Sequence, residues 1–273
     1  MSVVTVSRQV ASLGTEIAQA LAERLHYEYV DKERIEKALA DYGMLSPDVE
    51  RFDEKKPPFW DSWQIQRRKF LHFIQAVIYD LAGKGDVVIV GRGGQVLLKD
   101  LPGVLHVRIV APFEARVRRI IDKEGGDEKP IVRNLRRADR DSAGFIRAFF
   151  DVDWDELNLY DLVVNTQKVS IETAVSMIQE SIHSPEMKES EKKAEEKLVD
   201  LALFQKAEAT LLGLLGIDTR HLNLQVEKGV VILRGSVNTQ VDKENCQRAV
   251  AGIDGVQKVD NQLFVTEYYR FGT

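Results

Sequence analysis

The sequence predicts an α/β protein whose parallel sheet is flanked by helices, followed by a small α+β module. Three observations carry this reading. Strand and helix signals alternate over the first 183 residues, as in sheets covered by helices on both faces. The composition turns almost wholly polar at Ser184-Pro185-Glu186-Met187-Lys188-Glu189-Ser190-Glu191-Lys192-Lys193. Beyond it the chain changes to short alternating strands around a single helix. The chain is 273 residues long, 44% hydrophobic and 30% charged, which excludes collagen-like, mucin-like and mostly disordered classes and suits one large or two modest domains.

Each element has its own signal. Val3-Val4-Thr5-Val6 is a β-branched run that reads as the first strand. From Thr15 to Leu25, Ile17, Ala18, Leu21, Ala22 and Leu25 fall on one helical face. Tyr27 to Val30 reads as a second strand, and Ile65 to Leu81 as a long amphipathic helix. Asp86-Val87-Val88-Ile89-Val90-Gly91 has the continuous apolar character of a buried parallel strand. Val104 to Val110 is another strand, followed by a helix opened by Pro112 and running to Lys123. Asp161 to Asn165 closes the series.

The polar stretch, with Ala194-Glu195-Glu196-Lys197, reads as a linker or a solvated helix start over 184–197. An apolar-periodic run from Leu198 to Leu215 opens the last module, 198–273. Leu222, Leu224 and Val226 alternate with polar residues, Lys228-Gly229 is a turn signal, and Val230 to Val237 is the returning strand. Asp242 to Ala251 reads as a helix and Val259 to Val265 as a third strand.

The formal charge is −5, so no whole-protein attraction to nucleic acid is expected. Cys246 is the only cysteine, which excludes an intrachain disulfide and any zinc site built on several thiolates. No apolar run approaches the roughly 18–20 residues of a membrane helix, and Met1 to Ser7 lacks a secretory signal, so a cytoplasmic protein is expected. The aromatic group Phe59, Trp60, Trp63, Phe70 and Phe73 reads as core or subunit interface, consistent with a homodimer.

Chemistry concentrates at the ends of the first strands. Ser7-Arg8-Gln9-Val10-Ala11-Ser12-Leu13-Gly14-Thr15 joins a strand to a helix, the place where a phosphate-binding loop lies. The loop has no Walker lysine, and its alternative reading is a tight turn with Ser12 as helix N-cap. Gly91-Arg92-Gly93-Gly94 places a fork-shaped cation at the carboxyl end of a strand, where such sheets bind ligands. Arg133, Arg136, Arg137 and Arg140 follow i, i+3, i+4, i+7 spacing, so they form either a phosphate clamp or a solvated face. Asp31 reads as a magnesium or substrate ligand, or as an N-cap for the helix from Lys32. The five histidines show no metal spacing, and no G-x-S-x-G elbow occurs.

Residues 1–183 resemble the cytidylate kinase-like family of P-loop proteins. The resemblance rests on Thr5-Val6-Ser7-Arg8-Gln9 with Gly14-x-Glu16-Ile17-Ala18, on Tyr29-Val30-Asp31-Lys32, on Phe52 to Pro57, and on Val88 to Gly93. It extends through Val107 to Pro112, Asp139-Arg140-Asp141, Phe149 to Trp154, and Leu159 to Thr166. Residues 198–267 resemble a BON domain through Gly229-Val230-Val231-x-Leu233-x-Gly235-x-Val237 and Gly252-x-x-Gly255-Val256-x-x-Val259-x-Asn261.

The resemblance implies a P-loop kinase-like fold and transfer of the ATP γ-phosphoryl group, with Mg2+, to a nucleoside monophosphate such as CMP. It implies that Ser7, Arg8, Ser12, Gly14, Thr15 and Arg133 bind ATP, with Thr15 on the metal. It further implies that Arg92, Arg136 and Arg140 are catalytic and that Asp31, Lys37, Gly91 and Arg147 bind the substrate. This chain has Gly14 where cytidylate kinases carry the loop lysine, Gly93 where they carry an aspartate, and Lys37 near the place of an acceptor-binding arginine. A second reading follows from the altered loop: an inactive nucleotide sensor whose BON domain engages a partner or a membrane surface.

Overall fold

The computed structural model describes residues 2–41, 60–214 and 222–266. By compactness they fall into two units, 1–71 with 84–195, and 72–83 with 196–273.

The first unit is built on five parallel strands, β1 (Val3–Arg8), β2 (Glu28–Val30), β3 (Val87–Val90), β4 (Val104–Val110) and β5 (Leu162–Asn165), in the order β2-β3-β1-β4-β5. Strand β1 is central, with Val3 to Val6 beside Val87 to Val90 on one edge and Val104 to Val107 on the other. Being covered on both faces, β3 is apolar throughout and β1 is buried from Val3 to Ser7, with a β-branched start that made it readable as a strand. Helices α1 (Gly14–Leu25) and α7 (Ile171–Ile182) pack together on one face, where Ile17, Leu21, Val175 and Ile178 close over Val4, Val6, Val107 and Ile109.

Helix α2 (Lys32–Asp41) follows β2, and the Asp31 carboxylate accepts the Arg34 amide at 3.0 Å, which caps that helix. Helix α3 (Trp60–Lys84) precedes β3, and the single turn α4 (Gly94–Leu97) follows it. Helices α5 (Phe113–Glu124) and α6 (Glu128–Phe150) form a hairpin whose bend, Gly125-Gly126, has both residues at positive φ. Arg116 of α5 forks onto both Asp139 oxygens of α6 at 2.9 and 2.8 Å, which fixes the hairpin.

Helix α8 (Pro185–Leu214) is continuous for 30 residues. Residues 185–197 of the polar stretch therefore lie in its first half. Residues 72–83 of α3 also join the second unit, which the change in composition did not indicate.

In the second unit, β6 (Leu222–Glu227) runs antiparallel to β7 (Val230–Val237), and β8 (Lys258–Val265) pairs parallel to β7. The crossover helix α9 (Gln240–Ala251) is capped by Thr239, whose hydroxyl accepts the Asp242 amide. Ala207, Leu211, Val231, Leu233, Cys246, Val250 and Leu263 form the core. The Lys228-Gly229 turn has both residues at positive φ, and its two amides donate to the Asp200 carboxylate of α8 at 2.7 and 2.9 Å. Phe52 to Pro57 and Phe59 lie outside the described residues, as do the side chains of Trp60, Trp63 and Phe70. Phe73 is buried.

Candidate functional site

Strand β1 delivers the chain to the carboxyl edge of the sheet, and Gln9 to Leu13 turn it into α1. Ala11 and Leu13 stand at φ 58° and 65°, left-handed values that cost a side-chain-bearing residue about 1 kcal/mol each. That conformation is held by the carbonyl side of the loop. Arg116 donates to the Val10 carbonyl, Arg119 to the Ala11 carbonyl at 3.1 Å and Thr166 to the Ser12 carbonyl at 2.8 Å. The Ser12 hydroxyl, fully buried, donates to Gln9 and Ile109 carbonyls, so Ser12 fastens the loop to β4 and is not the N-cap of α1. The N-cap position is taken by Leu13, without a side-chain bond.

With its carbonyls tied back, the loop leaves its amides unused. Among the described residues no hydrogen bond is made by the backbone N–H of Val10, Ala11, Leu13, Gly14, Thr15 or Glu16. Successive free N–H groups in a left-handed turn, at the positive end of a 12-residue helix, make a concavity whose partial charges suit an anion.

These residues border a cavity of about 820 Å³. Its far wall comes from the α5–α6 hairpin, with Ile120, Lys123, Ile131, Leu135 and Ala138. The volume lies in the range of small-molecule sites, and the hairpin wall mixes apolar Ile120, Ile131, Leu135 and Ala138 with the charged Arg119, Asp122, Lys123 and Glu124. Thr15 is exposed at the first turn of α1 and borders the cavity. Among the described residues there is no cluster of three or more His, Cys, Asp or Glu that would hold a metal alone. Magnesium keeps several waters and phosphate oxygens as ligands, so one hydroxyl beside a polyphosphate suits it.

A second, narrow cleft lies on the other side of Arg8, between the β3 end and α6, bordered by Gly91, Arg92, Gln95, Phe145 and Trp154. Gly91 and Arg92 are left-handed at φ 75° and 53°. Arg92 is 9% exposed, donates to Glu36 Oε1 at 2.9 Å and lies 5.8 Å from the Phe145 ring centre. Gly93 admits the Phe150 ring so closely that an added Cβ would meet it at 2.3 Å. Here α2 presents Glu36 to Arg92, while Lys37 is exposed.

The expected site residues separate into groups. Arg8, Gly14 and Thr15 border the large cavity, and Ser7, Arg8, Gly91 and Arg92 the small one. Arg133, Arg136 and Arg140 are exposed and border neither, because the cavity face of α6 is Ile131, Asn134, Leu135, Ala138 and Ser142. Arg136 lies over the Phe113 ring at 5.4 Å, and Arg147 pairs with Asp153 at 3.0 Å. Asp31 serves the α2 cap.

Ser7 sits beneath the site. Its hydroxyl oxygen accepts from Arg108 at 2.8 Å and from Trp154 at 3.0 Å. The Arg108 guanidinium lies 3.6 Å from the Trp154 ring centre and also donates to Asp155. Burial lowers the pKa of Arg108 and raises that of Tyr160, whose hydroxyl donates to the Trp154 carbonyl. The anchors Arg108, Arg119 and Glu36 were not singled out from sequence as site residues. Arg119 had a signal, its i, i+3 spacing from Arg116, and Thr166 ends the segment Leu159 to Thr166 that carries part of the family resemblance.

A five-stranded parallel sheet of this order, with an amide-lined turn between its central strand and first helix, defines a P-loop kinase fold. Residues 3–168 match the cytidylate kinase-like family and residues 200–267 the BON domain, and the chain belongs to the cytidylate kinase-like family. It is 25% identical over 171 residues to a cytidylate kinase of Methanocaldococcus jannaschii, covering 62% of this chain and 90% of that protein. It is 26% identical over 189 residues to a cytidylate kinase of Methanopyrus kandleri, covering 66% and 92%. The crystal structure of an uncharacterized protein from Eubacterium ventriosum superposes with a TM-score of 0.54 at 22% identity, covering 67% of this chain and 99% of that one. Among the described residues no helix is long and apolar enough to cross a membrane.

Proposed function

We propose that the first unit transfers the γ-phosphoryl group of ATP to a nucleoside monophosphate, with CMP the first acceptor to test. The observation that carries this reading is the ring of unused amides at Val10, Ala11 and Leu13 to Glu16, opening on a nucleotide-sized cavity. Family membership and the cytidylate kinases among the relatives support it.

In this reading the triphosphate lies along the loop amides, and the base against Ile120, Ile131, Leu135 and Ala138. The acceptor phosphate enters beside Gly91 and Arg92. An acceptor oxygen attacks Pγ, the bond from Pγ to the β-bridging oxygen breaks, and ADP leaves with that electron pair. The protein's part is positioning and charge compensation. Magnesium, when bound with the nucleotide, draws charge from the phosphate oxygens, and Thr15 is the side chain that would hold it.

The test is purified full-length protein with ATP, Mg2+ and each common nucleoside monophosphate, following diphosphate formation. Diphosphate from at least one acceptor is the expected result. A second reading, a nucleotide sensor without turnover, is favoured by one observation: Glu36 already occupies Arg92. ATP binding with no product from any acceptor would select it.

A further inference from the structure

Arg8 and Gly14 make one steric unit. An ideal Cβ on Gly14 would stand 2.4 Å from Arg8 Cβ and 3.0 Å from Arg8 Cγ, so no side chain, lysine included, fits at position 14 while Arg8 holds its place. The Arg8 side chain then runs on to Gly91, where its Nη1 lies 3.0 Å from the position a Cβ would take. The left-handed Gly91, at φ 75°, leaves that space open for the guanidinium.

Arg8 also borders both cavities, a property it shares with Ser142. The other arginines near the loop are engaged: Arg92 with Glu36, Arg116 with Asp139, Arg108 with Ser7 and Asp155, and Arg119 with Ala11 and Thr166. Among the described residues Arg8 makes no ion pair or hydrogen bond. An arginine left without an anion beside free amides is a ready ligand for a phosphate, which it grips through two parallel N–H groups.

We propose that Arg8 carries the polyphosphate-binding charge that the loop lysine would otherwise supply, reaching from the strand end the space that Gly14 cannot fill. Its place between the two cavities puts the guanidinium against the terminal phosphate of the donor. Arg8 and a lysine at position 14 are then alternatives, because the two side chains exclude each other. This inference rests on the nucleotide-binding reading above.

Calorimetric titration of the full-length protein with Mg-ATP and with inorganic tripolyphosphate tests it. Wild type is expected to bind both. Arg8→Met is expected to weaken both by about ten- to a hundredfold, the scale of a charge-assisted hydrogen bond. Arg8→Lys should recover most of that loss, and the Arg8→Met affinity should depend less on ionic strength. The exchange variant Arg8→Gly with Gly14→Lys should bind tripolyphosphate better than Arg8→Gly alone. Circular dichroism establishes that each variant is folded, and the lysine and exchange variants decide the question where Arg8→Met does not fold. Arg8→Met affinity within threefold of wild type, or no gain from the exchange, overturns the inference and leaves nucleotide binding standing. Failure of wild type to bind either ligand overturns the nucleotide reading itself.

Discussion

The Arg92 guanidinium and the Glu36 carboxylate meet at 2.9 Å, with the arginine side chain 6% exposed and the carboxylate 31%. The carboxylate thus occupies the cation that would greet an acceptor phosphate, and a phosphate arriving there has to share it or displace it. Replacing the charge while keeping the shape should help the acceptor. Glu36→Gln is expected to tighten CMP binding by about three- to tenfold at neutral pH, since a competing charge-assisted bond is weakened. Titration with CMP in the presence of a non-hydrolysable ATP analogue measures this. Unchanged affinity in Glu36→Gln would place the acceptor phosphate elsewhere.

Gly14 and Gly144 are both helical glycines but predict opposite signs. A Cβ at Gly14 would meet Arg8 and, at 3.2 Å, Ile109, both on strands that cannot retreat without disturbing the sheet. Gly14→Ala should therefore destabilise by about 1–3 kcal/mol. Nothing lies within 4 Å of a Cβ at Gly144, inside α6, so Gly144→Ala should stabilise by about 0.5–1 kcal/mol. Urea midpoints for the two variants check the pair, and a stabilised Gly14→Ala would contradict the packing.

Ser7 is expected to matter to the fold more than its size suggests. Removing its hydroxyl leaves the Arg108 Nη1 and Trp154 Nε1 donors without that acceptor in a buried setting. Ser7→Ala should cost about 2–4 kcal/mol, the scale of buried donors left unpaired, one of them charged. Ser170→Ala, which removes only the exposed cap of α7, should cost about 1 kcal/mol. Equal midpoints for the two variants would argue against the buried cluster.

These cases mark what the sequence could and could not reveal. The inner strands were the readable ones, because a strand buried on both faces is rich in apolar residues, so Val87 to Val90 and Val104 to Val110 announce themselves locally. The loop was readable by its position between Val6 and Ile17. Its conformation was not, since Ala11 and Leu13 adopt angles that glycine would have signalled. The Ser7 cluster joins residues 101 and 147 positions apart, and no local pattern encodes such pairs. The arginine spacing on α6 correctly grouped Arg133, Arg136 and Arg140 on one face. Periodicity cannot say which face meets a cavity, and the small and apolar side of that helix does.

His106 gives the first unit an acid-sensitive element. Its Nδ1 lies 2.7 Å from the Thr5 hydroxyl on the central strand, and its ring is buried. Burial holds the imidazole below its ordinary pKa of about 6.5, with Asp161 and the Leu98 backbone opposing the effect. The folded protein therefore keeps His106 neutral where the unfolded chain already takes up a proton. Below about pH 6.5 the unfolded state binds more protons, so stability falls as the pH drops and is fully present above that value. The slope is at most about 1.4 kcal/mol per pH unit, and it ends where the folded imidazole itself titrates. His106→Gln, which cannot titrate, should narrow its stability gap to wild type as the pH is lowered from 7.5 to 5. Urea unfolding of both proteins across that range supplies the comparison, and parallel curves would mean that His106 titrates alike in the folded and unfolded chain.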